Sequence, residues 1–310
     1  MNTSRPKVGI IGAGAMGTLF GFHLAQECEV NVLDQSNELL EQIAKSGLSV
    51  NDSSPRTVGT TSSPAALFTS SVLFLFVKAV DTLTALRPFA GQLDPATPIV
   101  SLQNGVGNED AIKTALGSVP VVLGITTESS LTVAPGRVRS SKNGYTILGS
   151  GGAAPSTSQR IVTLMQQSGL RASVVYDIRP HLWGKLIANA AINAISALLD
   201  CEVGAIPRDA NAAALAQTIA REAAAVAAAL RIKLPFSDPW QYITEIIAVG
   251  ADSRSSMAFD LASRHPSEIN HINGAIVAAG RRAGVPTPFN EAVLRLIKSK
   301  EALNASPALV

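Results

Sequence analysis

The sequence predicts a two-domain protein in which an α/β first half is followed by an all-helical second half. The first half alternates short apolar runs rich in β-branched residues with helical patterns, as βαβ units and parallel sheets do. The second half consists of long Ala-rich stretches with few β-branched runs. The chain has 310 residues, more than the roughly 250–300 at which a single core stops growing. We therefore predict one domain at residues 1–178 and a second at residues 179–310.

Each element has a local signal in the sequence. The predicted strands of the first half are apolar runs: Lys7–Ile11, Glu29–Leu33, Val72–Val77, Ile99–Leu102, Pro120–Gly124 and Arg171–Tyr176. The helices predicted between them follow Ser, Pro or Asn residues suited to a helix start: Asn37–Ser46, Ala65–Phe68 and Ala111–Leu116. The dipeptide Asn143-Gly144 is a hairpin signal, so we expect an antiparallel pair within Arg137–Leu148. The helices predicted in the second half are Pro180–Leu199, Asp209–Arg231, Pro239–Val249, Ser267–Ala283 and Pro288–Leu303.

Composition excludes several classes of function. The formal net charge is only +2, so the chain offers no basic field for nucleic acid. Cys28 and Cys201 are far apart and lack metal-ligand spacing, which argues against a zinc site or a disulfide framework. The apolar run Val72–Val77 is too short to span a bilayer, and the N-terminus lacks the apolar core of a signal peptide. We expect a cytoplasmic protein that binds no metal, membrane or nucleic acid.

A glycine fingerprint follows the first predicted strand. The turn reads Gly12-Ala13-Gly14-Ala15-Met16-Gly17 and opens a helix. In a GxGxxG turn the first glycine makes the tight bend, the second lets the backbone approach a pyrophosphate, and the third allows close packing of helix and strand. The helix N-terminus then presents free N–H groups to the anion. This context predicts a Rossmann-type, dinucleotide-binding first domain.

The choice of cofactor turns on Asp34, at the end of the second predicted strand. A carboxylate at this position accepts hydrogen bonds from the adenosine ribose hydroxyls and repels a 2′-phosphate. No Lys or Arg lies between Asp34 and Lys45 to compensate that repulsion. The residues themselves therefore favour NAD(H).

Three polar residues line one face of the first helix of the second half. Lys185, Asn189 and Asn193 are four residues apart, within about 80° on a helix. The residues between them are apolar, so this stripe faces either water or a polar cleft. A single lysine would fit a solvated face, but asparagine is a poor helix former with nothing to gain there, which favours the cleft.

Four further segments complete a pattern. They are Val77-Lys78-Ala79, Gln103-Asn104-Gly105-Val106-Gly107, Trp183-Gly184-Lys185-Leu186 with its two asparagines, and Ser255-Ser256-Met257 with the later Glu268-Ile269-Asn270-His271-Ile272-Asn273-Gly274. With the glycine fingerprint, they resemble the ketopantoate reductase family over nearly the whole chain.

The resemblance implies a fold, a reaction and a set of site residues. The fold is a Rossmann domain followed by a helical domain in a 6-phosphogluconate-dehydrogenase-like arrangement, with the active site in the cleft between them. The reaction is hydride transfer from NAD(P)H to the 2-keto group of 2-dehydropantoate, giving (R)-pantoate in pantothenate and coenzyme A biosynthesis. Lys185 is then the catalytic acid and Glu268 its catalytic partner, and Asn104 lies near nicotinamide and substrate. Asn189, Asn193 and Ser256 are then expected to bind the substrate. Lys78, Ser130 and Glu268 are expected to line the cofactor site or the catalytic cleft.

Two positions depart from the family pattern. Val203 stands where members often carry a further asparagine on the substrate side, which leaves the exact keto acid open. The family is usually NADPH-dependent, but Gln35 beside Asp34 supplies no charge for a 2′-phosphate. Single residues also have simpler interpretations: Asn104-Gly105 is a good turn dipeptide, and Glu268 or Ser256 could merely begin a helix.

Three functions remain open at this stage. The first is reduction of 2-dehydropantoate, and the second is reduction of another 2-keto acid or an imine on the same scaffold. The third is dinucleotide sensing without turnover, since Rossmann folds serve that purpose too. A sensor needs no proton donor, so the stripe that begins at Lys185 favours an enzyme. The Ala-rich helices could supply the face of a homodimer.

Overall fold

The structure is a computed structural model that describes residues 5–141 and 144–305. The chain divides into two compact units. The first is formed by the chain up to Gln103 together with Asn108–Ile178, and the second by Asn104–Gly107 together with the chain from Arg179 onward. The loop Asn104–Gly107 therefore folds with the second unit, although the sequence around it belongs to the first.

The first unit is built on two sheets. The strands of the described residues are β1 (Lys7–Ile11), β2 (Glu29–Leu33), β3 (Ser49–Val50), β4 (Gly59–Thr61), β5 (Val72–Leu75), β6 (Ile99–Ser101), β7 (Val121–Thr126), β8 (Ser130–Ala134), β9 (Arg137–Ser140), β10 (Thr146–Ser150) and β11 (Ala172–Val175). The larger sheet has the order β11-β10-β7-β6-β5-β1-β2-β4 and the smaller one β3-β9-β8.

The larger sheet reverses its strand order at β1. β1 pairs in parallel with β2 on one side and with β5 on the other. Ligands of open α/β sheets bind beyond the carboxyl ends of the strands at such a switch point. The turn after Ile11 and the chain after β5 lie at this point. Chain order and strand pairing thus mark one edge of the sheet before any side chain is considered.

Helices connect the strands and cover the sheet. In the first unit they are α1 (Ala15–Leu24), α2 (Asn37–Ser46), α3 (Thr82–Leu86), α4 (Asn108–Leu116) and α5 (Pro155–Gln167). Ser36 begins α2 as predicted, because its side chain accepts a hydrogen bond from the Leu39 N–H. Core side chains such as Ile10, Phe20 and Phe74 are fully buried.

The second unit is all-helical apart from its loops. Its α-helices are α6 (Arg179–Leu199), α7 (Ala210–Ala229), α8 (Pro239–Val249), α9 (Ser256–Ala262), α10 (Asn273–Ala283) and α11 (Pro288–Ala305). Alanines such as Ala190, Ala216 and Ala223 are fully buried, so the helices pack closely around α6. The predicted fold class, an α/β Rossmann-type domain followed by an all-α domain, is confirmed.

Three predicted elements are wrong in their detail. The antiparallel hairpin pairs β9 with β8 around Gly136, while β10 pairs with β7 of the other sheet. Asn143 lies outside the described residues, but the strands on either side of Asn143-Gly144 do not pair. The long helix expected from Ser267 begins only at Asn273, after a run of turns. The run Ala65–Phe68 is a short 3-10 helix at Pro64–Leu67.

One described helix, α6, is long and apolar enough to cross a membrane by length and composition alone. Most of its apolar window is buried inside the protein. Core helices of globular proteins pass the same test, so the composition of α6 is explained by its central position.

A buried polar network joins four helices of the second unit. Asn290 is fully buried, and its Nδ2 donates to the Ile219 carbonyl at 3.1 Å and to Glu222 Oε2 at 2.8 Å. Its Oδ1 accepts from Asn273 Nδ2 at 3.1 Å, and the same Nδ2 donates to the Ala190 carbonyl of α6. Buried polar groups are costly when a partner is removed, so this network ties α7, α10 and α11 to α6.

We predict that Asn290→Ala lowers the free energy of unfolding by about 3 kcal/mol, because it removes the acceptor of a buried Asn273 N–H group and the side-chain hydrogen bond to Glu222. Asn211→Ala is the control: this asparagine is exposed on α7, so its loss should change stability by less than about 0.5 kcal/mol. Urea unfolding followed by far-ultraviolet circular dichroism measures both. Equal stability of the two variants would contradict a role for the network.

Candidate active site

The three glycines of the turn after β1 differ in the space around them. Gly12 has a φ of +102°, and a Cβ there would lie 3.0 Å from the backbone of Phe76. A Cβ on Gly17 would collide with the Gly12 carbonyl oxygen. In contrast, a Cβ on Gly14 would meet no described atom within 4 Å. Gly12 and Gly17 are therefore fixed by the fold, whereas Gly14 borders open space at the start of α1.

Asp34 lies against the glycine-rich turn. One carboxylate oxygen accepts a hydrogen bond from the Ala13 N–H at 2.8 Å, and the other accepts from the Ser36 N–H at 3.0 Å. Gln35 beside it is exposed. A carboxylate oxygen has two lone pairs, so each oxygen retains an acceptor position for a ribose hydroxyl. The backbone N–H groups of Ala13 and Ser36 therefore hold the carboxylate of Asp34 in place beside the turn.

Ser130 and Lys78 reach the same region from other elements. Ser130 Oγ donates to the Ala15 carbonyl in the first turn of α1 at 3.1 Å, with Met16 as the next helical residue. Lys78 follows β5, the neighbour of β1, and is half-buried at the start of a 3-10 helix. The structure therefore brings Ser130 and Asp34 to the glycine-rich turn and sets Lys78 at the end of the adjacent strand.

Gln103 is a residue of this region whose role the sequence did not reveal. Its buried amide nitrogen donates to the Val77 carbonyl and to Thr82 Oγ1, both at 2.9 Å, and its Oε1 accepts from Ser101 Oγ at 2.9 Å. These bonds fix the chain just before Lys78. The only sequence signal was that Gln103 directly precedes Asn104.

In the second unit, α6 presents its three polar residues as the sequence predicts. Lys185 and Asn189 are half-buried and Asn193 is 8% exposed. Gly184 leaves room for the stacked rings of Phe236 and Tyr242, whose centroids are 4.1 Å apart. The polar stripe is therefore not on a freely solvated surface.

The charge of Lys185 is controlled by its surroundings. Burial lowers the pKa of its ammonium from 10.5 to about 8, and the carboxylate of Glu268 opposes that change. A cation inside an apolar helix bundle loses hydration, and a nearby anion restores part of the loss. A lysine whose pKa lies near neutral pH is able to exchange a proton with a bound molecule.

Glu268 connects Lys185 with the loop Asn104–Gly107. Asn104 Nδ2 donates to Glu268 Oε2 at 2.9 Å. Gly105 has a φ of +85°, and a Cβ on it would collide with the His271 carbonyl oxygen, so only glycine allows this approach. Glu268 does not begin a helix, because α10 starts five residues later. The simple interpretations of Asn104 and Glu268 as a turn residue and a helix start are therefore insufficient.

Two adjacent serines have different environments. Ser255 is 5% exposed, and its Oγ donates to the Asn193 carbonyl at 3.1 Å and accepts from the Ala258 N–H. Ser256 is the first residue of α9 and is exposed. The sequence did not reveal the role of Ser255, although a serine directly before a helix is a cap signal.

Val203 lies in the core of the second unit. Its side chain is 8% exposed within the helical core cluster, and its N–H donates to the Ser253 carbonyl at 2.8 Å. At this position the chain therefore offers an apolar side chain packed among helices where an asparagine would offer an amide.

The second unit therefore brings Lys185, Glu268 and Asn104 together, and Ser255 links the stretch around Ser256 to Asn193. Such a set can donate a proton to an oxygen atom and hydrogen-bond a small polar molecule. Within residues 5–141 and 144–305, no cluster of three or more His, Cys, Asp or Glu residues has a geometry that could hold a metal ion.

The chain is similar to known proteins over both units. Two family models match, "Ketopantoate reductase PanE/ApbA" over residues 8–152 and "Ketopantoate reductase PanE/ApbA C terminal" over residues 177–301. A 2-dehydropantoate 2-reductase of Archaeoglobus fulgidus is 31% identical over 299 residues, covering 96% of this chain and 98% of the relative. One of Pyrobaculum aerophilum is 36% identical over 230 residues, covering 73% and 76%.

The chain is also similar to solved structures. A PanE/ApbA family ketopantoate reductase from Ralstonia eutropha JMP134 superposes with a TM-score of 0.90 at 30% identity, covering 97% of this chain and all of the other. D-mandelate dehydrogenase in a ternary structure with NADH and anilino(oxo)acetate superposes with a TM-score of 0.88 at 26% identity, over 97% and 100% of the chains. With two family models across both units and relatives above 30% identity, this chain belongs to the ketopantoate reductase family.

Proposed function

We propose that this protein reduces the keto group of a 2-keto acid with a nicotinamide dinucleotide, and that 2-dehydropantoate is the substrate, giving (R)-pantoate. The observation that carries the proposal is Lys185, a lysine with a pKa lowered to about 8 beside Glu268 and Asn104. Its relatives named 2-dehydropantoate 2-reductase support the choice of substrate.

The chemistry divides between the dinucleotide and the side chains of the second unit. When bound, the reduced dinucleotide supplies the hydride that adds to C2 of the keto acid. Lys185 stabilises the negative charge that grows on the carbonyl oxygen and transfers its proton to that oxygen. The C=O π bond is replaced by a C–H and an O–H bond, and Lys185 regains a proton from water.

The other polar residues would orient the proton donor, Lys185, and the substrate that accepts the proton. Glu268 keeps Lys185 cationic, and Asn104 would hold the carbonyl group or the nicotinamide ribose. Asn189, Asn193 and Ser256 would hydrogen-bond the carboxylate and hydroxyl groups of the substrate. Ser255 supports this role because it fixes the backbone of Asn193.

The first unit supplies the residues that would hold the dinucleotide. Gly14 leaves room for the pyrophosphate at the N-terminus of α1. Asp34 would bind the adenosine ribose, with Lys78 and Ser130 lining the same site. NADH bound to D-mandelate dehydrogenase supports the same cofactor here, in agreement with the charge of Asp34.

Reduction of a different 2-keto acid is the second candidate. It is favoured by Val203, which lacks the amide common in the family, and by the similarity to D-mandelate dehydrogenase. The deciding experiment follows oxidation of NADH and of NADPH with 2-dehydropantoate and with a panel of aliphatic and aromatic 2-keto acids. A kcat/KM highest for 2-dehydropantoate supports the proposal, a higher value for another acid supports the second candidate, and no turnover supports a dinucleotide sensor.

We predict that kcat/KM for keto-acid reduction falls as the pH rises through about 8, because Lys185 then loses the proton that it must donate. Lys185→Ala should lower kcat by about 10²–10⁴-fold and abolish this pH dependence. Lys185→Arg keeps the positive charge beyond pH 8 and should also lose this limb. Steady-state kinetics between neutral and alkaline pH measure these effects.

The control for these variants is Lys233→Ala, since Lys233 is an exposed lysine of the same unit. It should retain normal turnover and the wild-type pH profile. Full activity of Lys185→Ala would exclude Lys185 as the acid.

For the cofactor, we predict that NADH is used at least as well as NADPH, because the carboxylate of Asp34 repels a 2′-phosphate. Asp34→Asn should shift the ratio of kcat/KM values toward NADPH, whereas Asp52→Asn, at an exposed site of the same unit, should leave it unchanged. A wild-type preference for NADPH of about tenfold or more, which is about 1.4 kcal/mol, would reject this interpretation.

Gly14→Ala should weaken NADH binding by about tenfold or more, because the added methyl group would occupy the space that the pyrophosphate needs. The same methyl group meets no described protein atom, so the free energy of unfolding should fall by no more than about 1 kcal/mol. Gly17→Ala is the contrasting variant, because its methyl group meets the Gly12 carbonyl and should destabilise the fold itself. Fluorescence titration with NADH and thermal unfolding separate the two effects. Unchanged NADH affinity of Gly14→Ala would show that this turn does not hold the dinucleotide.

A further inference from the structure

The segment Ser267–Ile272, which carries Glu268, is not helical and is shaped by hydrogen bonds within the turn. The Glu268 carbonyl accepts from the His271 and Ile272 N–H groups at 2.9 and 3.0 Å. Ser267 Oγ accepts from the Ile269 N–H at 3.3 Å. These bonds shape the turn internally, but they do not attach its first residue to the rest of the unit.

That attachment comes from Glu301, near the end of α11. Glu301 Oε1 accepts the Ser267 N–H at 2.7 Å, and Ser267 is 7% exposed. A charge-assisted hydrogen bond of this length is strong, and its acceptor lies on a long helix packed against α6 and α7. The residue that follows Ser267 is Glu268, so the bond fixes the backbone directly before that carboxylate.

Glu301 also lines a small cavity between α9 and α11. Three basic side chains, Arg264, His265 and Lys298, line the same cavity. Loss of the Glu301 charge would therefore change the electrostatics of this surface as well as the turn. A test of Glu301 must separate its hydrogen bond from its charge.

We infer that Glu301 is a positioning residue that holds the turn Ser267–Ile272 so that Glu268 faces Lys185 and Asn104. The expected effect of Glu301 on turnover rests on the proposed function. Glu301 itself is not placed against substrate or cofactor. It acts through the backbone of Ser267.

A positioning role and a general structural role have opposite effects on Lys185. Glu268 raises the pKa of Lys185, whereas burial lowers it. If Glu301→Ala lets Glu268 move away while the helices stay packed, the pKa of Lys185 falls below its wild-type value of about 8. If the variant instead loosens the unit and exposes Lys185 to water, the pKa rises toward 10.5.

The experiment measures the pKa of Lys185 without turnover, from the pH dependence of its acetylation by acetic anhydride, read by mass spectrometry on the full-length protein. Glu301→Ala should show a lower pKa than the wild type. Glu301→Gln keeps an acceptor oxygen for Ser267 but lacks the charge, so it should restore the wild-type value. Glu291→Ala removes a glutamate of the same helix that binds Arg281 and Arg295 at the surface, and it should have no effect.

Kinetics provide the second readout. Glu301→Ala should lower kcat by about tenfold to a hundredfold, the cost of a misplaced catalytic group, with little change in KM. Combined with Glu268→Gln, it should cause little further loss, since both changes remove the same interaction.

An unchanged or raised pKa of Lys185 in Glu301→Ala would overturn the inference, as would a Glu301→Gln variant that behaves like Glu301→Ala. A lowered pKa in a protein that reduces no 2-keto acid would leave the positioning role intact and reject the proposed function. If the variant's pKa of Lys185 is unchanged and the wild type reduces a 2-keto acid, the positioning role is rejected and the proposed function stands.

Discussion

The arrangement of the second unit depends on one ammonium group in an apolar helix. Burying the charge of Lys185 is unfavourable because the protein interior hydrates it poorly. Glu268 offsets part of that cost, and Asn104 donates a hydrogen bond to the same carboxylate. A lysine of lowered pKa, a carboxylate that keeps it cationic and an amide that orients the carboxylate form one electrostatic unit. Each member is understandable only in relation to the other two.

Backbone constraints place these three side chains. Glu268 occupies a turn instead of a helix, and the bond from Ser267 to Glu301 fixes the start of that turn. The loop that carries Asn104 approaches the turn closely because Gly105 has no side chain. Without such a glycine the amide of Asn104 would be kept away from the carboxylate. Gly105 and Ser267 therefore act through the backbone: they determine whether the side chains of Asn104 and Glu268 lie close enough to interact.

The two units carry different parts of the proposed reaction. In the first unit the glycine-rich turn and Asp34 form a rigid group linked by the bond from Ala13. The side-chain amide of Gln103 makes three hydrogen bonds within this unit, and the next residue, Asn104, already folds with the second unit. The two family models cover both units, and Val203 lies in the core of the second.

The sequence alone determined the fold class, the glycine-rich turn and the shared face of Lys185, Asn189 and Asn193. These features depend on local periodicity, steric rules for glycine and the order of strands, which are written within a few tens of residues. The sequence did not determine which strand β10 pairs with. It also did not show that Glu268 lies in a turn, that Ser255 holds the backbone of Asn193 or that Glu301 holds Ser267. These contacts join residues that are distant in the chain, and only tertiary packing brings them within hydrogen-bonding distance.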